Sequence, residues 1–130
     1  MFKIKARNRV LQIIDSKYSK ISVSGGTCRY NFRCHNNAVS DAINNKDEYI
    51  AMVIYVDERE PIIHFINVDK RGAYTDNTLG QWAQRMDYYL VRTIPKESFW
   101  DIYNIFAAFR LELHRQLPFY MRPFISLDNF

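Results

Sequence analysis

Tyr49-Ile50-Ala51-Met52-Val53-Ile54-Tyr55-Val56, Asp57-Glu58-Arg59-Glu60-Pro61 and Ile62-Ile63-His64-Phe65-Ile66-Asn67-Val68 form the stretch that decides the fold. The first run is nearly all apolar and rich in β-branched side chains, the pattern of a strand buried on both faces. A charged turn follows at 57–61. The second run alternates, placing Ile62, His64, Ile66 and Val68 on one face and Ile63, Phe65 and Asn67 on the other. Asp69-Lys70-Arg71-Gly72 is a tight hairpin signal, and Ala73 to Leu79 returns as the next strand. Tyr88 to Ile94 reads as a further strand.

On either side of this sheet the period changes to that of helices. Arg9 to Tyr18 puts Val10, Ile13, Ile14 and Lys17 on one face. The helical period is lost over Ile21–Thr27, which ends in the turn pair Gly25-Gly26, and Thr27 to Arg33 reads as a loop. A second helix is expected from Cys34 to Asn44, with Ala38, Val39, Ala42 and Ile43 turned to the core. Pro95-Lys96-Glu97 opens the longest helix, Glu97 to about Gln116, with Phe99, Ile102, Tyr103, Phe106, Phe109 and Leu113 on its buried stripe. From Leu117 the chain is expected to be extended and packed by its aromatics. Helices, then a mostly antiparallel sheet, then a helix is an α+β order. The 130 residues make a single domain.

Composition narrows the class. An apolar share of 48% with 25% charged residues describes a globular chain. No window approaches eighteen consecutive apolar residues, so no membrane-spanning helix is expected. Met1 to Arg9 has the basic flavour of a secretory signal, but Gln12, Asp15 and Lys17 interrupt the next stretch, and such a signal is rejected. Cys28 and Cys34, six residues apart, are no disulfide framework; free thiols in the cytoplasm are expected. A net charge of +4 permits a nucleic-acid partner through Lys3, Lys5, Arg7, Arg9 and Lys17, but no base-stacking or basic-helix motif asks for one.

The chemistry gathers at three residues. Cys34 stands where the second helix begins, and a thiol in a first helical turn meets unsatisfied amides that favour the thiolate. His64 lies on the following sheet. A two-residue loop at Lys70-Arg71 sets cross-strand partners summing to about 141, so that His64 faces Asn77, one step from Asp76. A longer loop moves the register by one or two and could bring Asp76 directly opposite His64. In either case the carboxylate reaches one imidazole nitrogen and leaves the other outward, the order of a thiol, its base and an orienting acid. Plainer readings fit the same residues: Cys34 as apolar filler, His64 as a structural core residue, Asp76 as a turn cap. His35 adjoins Cys34 but on a helix points about 100° away. His114 suits a helix C-terminus as a structural residue, and Cys28 is the weaker nucleophile. No Cys-x-x-Cys or His-x-x-x-His pair anchors a metal site, and no Gly-rich phosphate loop is present. No cofactor is expected.

Cys34-His35-Asn36-Asn37-Ala38, Tyr49 to Tyr55, His64-Phe65-Ile66-Asn67-Val68-Asp69 and Tyr74-Thr75-Asp76-Asn77-Thr78-Leu79-Gly80, closed by Tyr88-Tyr89-Leu90-Val91 and Ile94-Pro95, resemble a loosely defined family of small bacterial and phage proteins. Its pattern is Cys-x-x-Asn-Ala, a Tyr-x-x-Gly-Tyr-like strand, His-Ala-Trp-x-Val-Asp and Asp-Pro-Thr-Leu. The likeness spans Cys34 to Pro95, roughly half the chain. It implies a papain-like architecture, a nucleophile helix packed on a small antiparallel sheet. It also implies a cysteine hydrolase or acyltransferase acting on an amide, isopeptide or thioester bond, with Cys34 as nucleophile, His64 as base and Asp76 as orienting residue. Phe65, Ile66 and Asn77 depart from the pattern, and the usual Gly of the first strand is absent. Asn31 is the one upstream side chain offered as an oxyanion donor.

A rival reading makes the chain a non-catalytic, phage-encoded protein-binding module on the same scaffold. The aromatic run Phe119-Tyr120-Met121-Arg122-Pro123-Phe124 would then be its contact surface. Either way the expected partner is a protein or peptide.

Overall fold

The computed structural model describes residues 2–29, 33–127 and 130. Among the described residues, three helices and six strands follow one another as α1 (Phe2–Lys17), β1 (Ser19–Ile21), β2 (Val23–Gly25), α2 (Cys34–Asn45), β3 (Tyr49–Asp57), β4 (Glu60–Val68), β5 (Tyr74–Asp76), β6 (Asp87–Pro95) and α3 (Ile102–Arg115). Short 3-10 turns lie at Gly80–Arg85, Lys96–Asp101 and Arg122–Phe124. The fold is α+β, and no helix among the described residues is long and apolar enough to cross a membrane.

The sheet is larger than the small antiparallel one expected. Its order is β1-β6-β3-β4-β5-β2, antiparallel except for the parallel pair β2/β5. The segment read as a turn region thus supplies both edge strands, β1 on β6 and β2 on β5. Three-residue strands carry too little alternation to announce themselves. Only Ser22 separates β1 from β2, so the two edges come within about 7 Å of each other and the sheet curls upon itself. A bulge helps: the β3/β6 register shifts between Met52 and Val53, which pair with Arg92 and Leu90. The shift leaves Tyr88 and Leu90 inside the curl and turns Ile94 outward to the helices.

Two cores result. Inside the curl lie Ala51, Val53, Ile66, Ala83 and Tyr88. Outside, Ile50, Met52, Ile54, Ile63 and Phe65 meet Ala6, Val10 and Ile14 of α1, Ala38 and Ala42 of α2, and Phe109 and Leu113 of α3. The two alanines of α2 are completely or nearly buried. Their small size lets the helix lie close on β4, where Asn67 Nδ2 donates to the Ala38 carbonyl at 2.8 Å.

Other expectations shift at their margins. α1 begins at Phe2 rather than Arg9, because Ala6 extends the buried stripe of Val10 and Ile14 by one turn. The strand after the second hairpin is only Tyr74–Asp76. The last helix opens as a 3-10 turn, and Tyr103, expected in the core, is 55% exposed. The tail folds into turns rather than an extended segment, held where the His114 ring meets the Arg122 and Ile125 carbonyls at 3.1 and 2.8 Å.

Candidate functional site

The hairpin loop sets the site. Asp69 N–H donates to Ala73 O, and Asp69 Oδ1 accepts the amides of Arg71 and Ala73, closing a three-residue loop with Gly72 at φ 81°. Asn67 then pairs with Thr75 and Val68 with Tyr74, one step from the register of a two-residue loop. Continued one pair further, this register sets Asp76 beside Ile66, diagonal to His64 on the inner face. The diagonal suffices: His64 Nε2 lies 2.8 Å from Asp76 Oδ2.

Asp76 is fully buried and its carboxylate is saturated. Oδ2 also accepts the Tyr88 hydroxyl at 2.6 Å, and Oδ1 accepts the amides of Thr78 and Leu79 at 2.9 and 2.8 Å. One carboxylate oxygen thus caps the turn and the other holds the His64 ring and the Tyr88 hydroxyl. Burial works against the charge, but the bond from His64, that ring's charge, the Tyr88 hydroxyl and the Leu79 amide outweigh it and hold the carboxyl below its usual range.

Cys34 opens α2, with Arg33 as N-cap and no side-chain cap bond. The first helical bond is Asn37 N–H to Arg33 O, so the amides of Cys34, His35 and Asn36 have no acceptor within the helix. By alternation His64 belongs to the inner face and α2 to the outer. They meet because the β4/β5 ladder stops at Asn67; at residue 64 that side of β4 is a sheet edge. Asn37 Nδ2 donates to Thr78 Oγ1 at 3.0 Å and ties the start of α2 to the turn that Asp76 caps.

The thiol and the imidazole perturb one another. Burial alone raises the Cys34 thiol, but hydrogen bonding to His35 and His64, together with the positive charge of the His64 ring, brings it down to about 6. Burial likewise lowers His64, and is overcome by the bonds to Asp76 and Cys34 and by both negative charges, which raise it to about 9. Between those values the pair is thiolate and imidazolium. Since Nε2 is committed to Asp76, Nδ1 is the nitrogen left for the sulfur. Tyr55 lies edge-on to the His64 ring at 5.0 Å between centroids; burial first, then the Cys34 and Asp76 charges, push its phenol up to about 12.

All three residues singled out from sequence are thus brought together. Asn31 lies outside the described residues, and Cys28 sits apart in an isolated bridge with Leu79. One expectation is corrected: His35 does not point away from the thiol, since its Nδ1 is 3.6 Å from Cys34 Sγ. Tyr88, Tyr55 and the Asn37–Thr78 tie had no local sequence signal; only the strand pairing reveals them. No family model, curated protein or solved structure matches the chain.

Proposed function

We propose that this protein is a cysteine hydrolase or acyltransferase of papain-like type that acts on an amide, isopeptide or thioester bond of a protein or peptide. The observation that carries this reading is the buried Asp76–His64 bond at 2.8 Å, with the imidazole's other nitrogen left to a thiol at a helix start. In the proposed reaction the Cys34 thiolate attacks the carbonyl carbon. The amides of the first turn of α2, which have no acceptor within the helix, stabilise the oxyanion. His64 gives its proton to the leaving amine or thiol, then takes one from the water or acceptor that releases the acyl group. Asp76 holds the ring and balances its charge. None of these steps calls on a cofactor. The free thiols support a reducing compartment such as the cytoplasm.

Reaction with p-nitrophenyl acetate tests the reading. We expect a burst of one equivalent of nitrophenol and an acetyl group on Cys34 by mass spectrometry. The burst is lost in Cys34→Ala and slowed about 100-fold or more in His64→Ala. An acetyl group absent from Cys34, or an unaltered burst in His64→Ala, would falsify it.

The rival binding module has support at the C-terminal end. Phe119, Tyr120 and Phe124 are 78%, 57% and 41% exposed, and Phe2 stacks on Phe124. A binder keeps its cellular effect in Cys34→Ala, whereas an enzyme loses it.

A further inference from the structure

Cys34 has imidazoles on two sides, and only His64 has a part in the reaction above. We propose that His35 is a positioning residue, a neutral second donor whose Nδ1–H holds the Cys34 sulfur and reserves the His64 proton for the leaving group. This rests on Cys34 being the activated thiol of the proposed site.

Three observations assign the role. The His35 Nδ1 atom is 3.6 Å from Cys34 Sγ. Its ring is clamped by aromatics from two elements: stacked on Tyr103 at 4.8 Å with planes 8° apart, edge-on to Phe106 at 4.9 Å, and tilted against Phe65 at 4.5 Å. Tyr103 is itself fixed, its hydroxyl donating to Asn36 Oδ1 at 2.7 Å. The clamp sets the ring angle, so Nδ1 is aimed rather than free to turn. The third observation concerns the far nitrogen: His35 Nε2 is buried with no hydrogen-bond partner among the described residues. A neutral imidazole carries one N–H. With an anionic acceptor at Nδ1 and none at Nε2, the proton belongs on Nδ1. The division of labour has a physical basis, since His64 has a carboxylate behind it to support a positive charge and His35 has only aromatic rings. The other titratable groups facing the thiol are Tyr55 from β3 and, behind His64, Asp76 from β5.

A donor on the thiolate raises the thiolate fraction but lowers the intrinsic reactivity of each thiolate, with a Brønsted coefficient of about 0.4–0.5. That gives a signature no merely structural role produces. In His35→Phe, which keeps the aromatic packing, the pH profile of Cys34 alkylation by iodoacetamide should move up by about one unit. Its rate should be about threefold lower at pH 5 and about threefold higher at pH 8.5, so the two profiles cross. His35→Asn, whose amide nitrogen falls near the Nδ1 position, should restore the parent profile. Superimposable profiles for the parent and His35→Phe overturn the proposal, as does an equal shift in both variants. In the unaltered protein, long-range 15N–1H spectra of the His35 ring should give the Nδ1–H tautomer; an Nε2–H tautomer overturns it whether or not the variants fold. Alkylation needs no substrate, so a failure to turn over esters leaves this result standing. Failure of the catalytic reading shows separately, as an indifferent His64→Ala.

Discussion

His64 Nε2 and Asp76 Oδ2 are 2.8 Å apart, with the ring 4% exposed and the carboxylate sealed from water. A pair this deep gains by Coulomb attraction about what it loses in desolvation, but removing one member strands the other. Asp76→Ala should therefore cost about 3–5 kcal/mol in urea unfolding. Three further donors, the Tyr88 hydroxyl and the Thr78 and Leu79 amides, lose their acceptor at the same time. A cost below about 1 kcal/mol, the scale of exposed pairs, would contradict the buried geometry.

The same groups link stability to pH, and their signs oppose. His64, raised from 6.5 to about 9, contributes stability that is complete below pH 6.5 and lost as pH rises through 9. Cys34, lowered from 9.0 to about 6, contributes stability that is complete above pH 9 and lost as pH falls through 6. Between about pH 6.5 and 9 the two slopes cancel, so the parent should be flat there as far as this pair decides. Cys34→Ala removes one slope. Its stability should then fall as pH rises above 6.5, by up to about 1.4 kcal/mol per unit, until the His64 proton is lost. Chemical denaturation at half-unit intervals measures this. A variant as flat as the parent would mean that Asp76 alone does not hold the ring protonated.

Thiol reactivity gives a third outcome. Iodoacetamide should label Cys34 with a midpoint near pH 6, read by peptide mass spectrometry. It should label Cys34 faster than Cys28 at neutral pH, and His64→Ala should move the Cys34 midpoint upward. Equal slow labelling of both cysteines in the folded protein would remove the activated thiol.

What can be read from the chain alone divides along the range of the interaction. β3 is legible from its long apolar, β-branched run and β4 from its alternation, which also assigns the face holding His64. The start of α2 at Cys34 is legible from the change of period. The register that joins His64 to Asp76 is open to two loop lengths by pattern; the side-chain bonds of Asp69 decide it, and pattern does not weigh those. β1 and β2 are invisible because their partners, β6 and β5, lie some fifty or more residues on. The bulge in the β3/β6 ladder, which turns Ile94 from the inner face to the outer, leaves no local mark either.

The hairpin joining β3 and β4 offers a gain rather than a loss. Glu58 and Arg59 both have positive φ, 48° and 70°, the turn geometry for which Asn-Gly is preferred. Each L side chain there costs roughly 1 kcal/mol. Arg59 recovers part of its cost through a bond from Nη2 to Asn8 Oδ1 on α1; Glu58 is exposed. Glu58→Asn should raise stability by about 0.5–1 kcal/mol in thermal unfolding, while Arg59→Gly should gain less because it forfeits the Asn8 bond. A destabilised Glu58→Asn would show that the Glu58 side chain has a role beyond the turn.

Closure of the curl has its own weak point, where β2 passes the turn at residue 80. A Cβ on Gly25 would lie 2.2 Å from the Gly80 carbonyl oxygen. A Cβ on Gly80 would lie 2.7–2.9 Å from Cys28, and Gly80 also has φ 57°. These contacts are with backbone on one side or both, so neither can be relieved by a rotamer change. Gly25→Ala and Gly80→Ala should each destabilise by about 1–3 kcal/mol in urea. The same β2/β5 pairing sets Gly25 opposite Asp76, and Gly26 N–H donates to the Asp76 carbonyl at 2.9 Å. Forcing this edge apart therefore moves the residue that orients His64. Gly25→Ala should slow Cys34 alkylation at pH 5, below the midpoint of the thiol, even at temperatures well below its unfolding midpoint, because a displaced Asp76 supports the imidazolium less well and the thiol midpoint rises. Gly72→Ala serves as the control: φ 81° strains it, but open space surrounds its Cβ, so it should lower stability and leave the alkylation rate unchanged. Equal effects of the two substitutions on alkylation would separate the seam from the site.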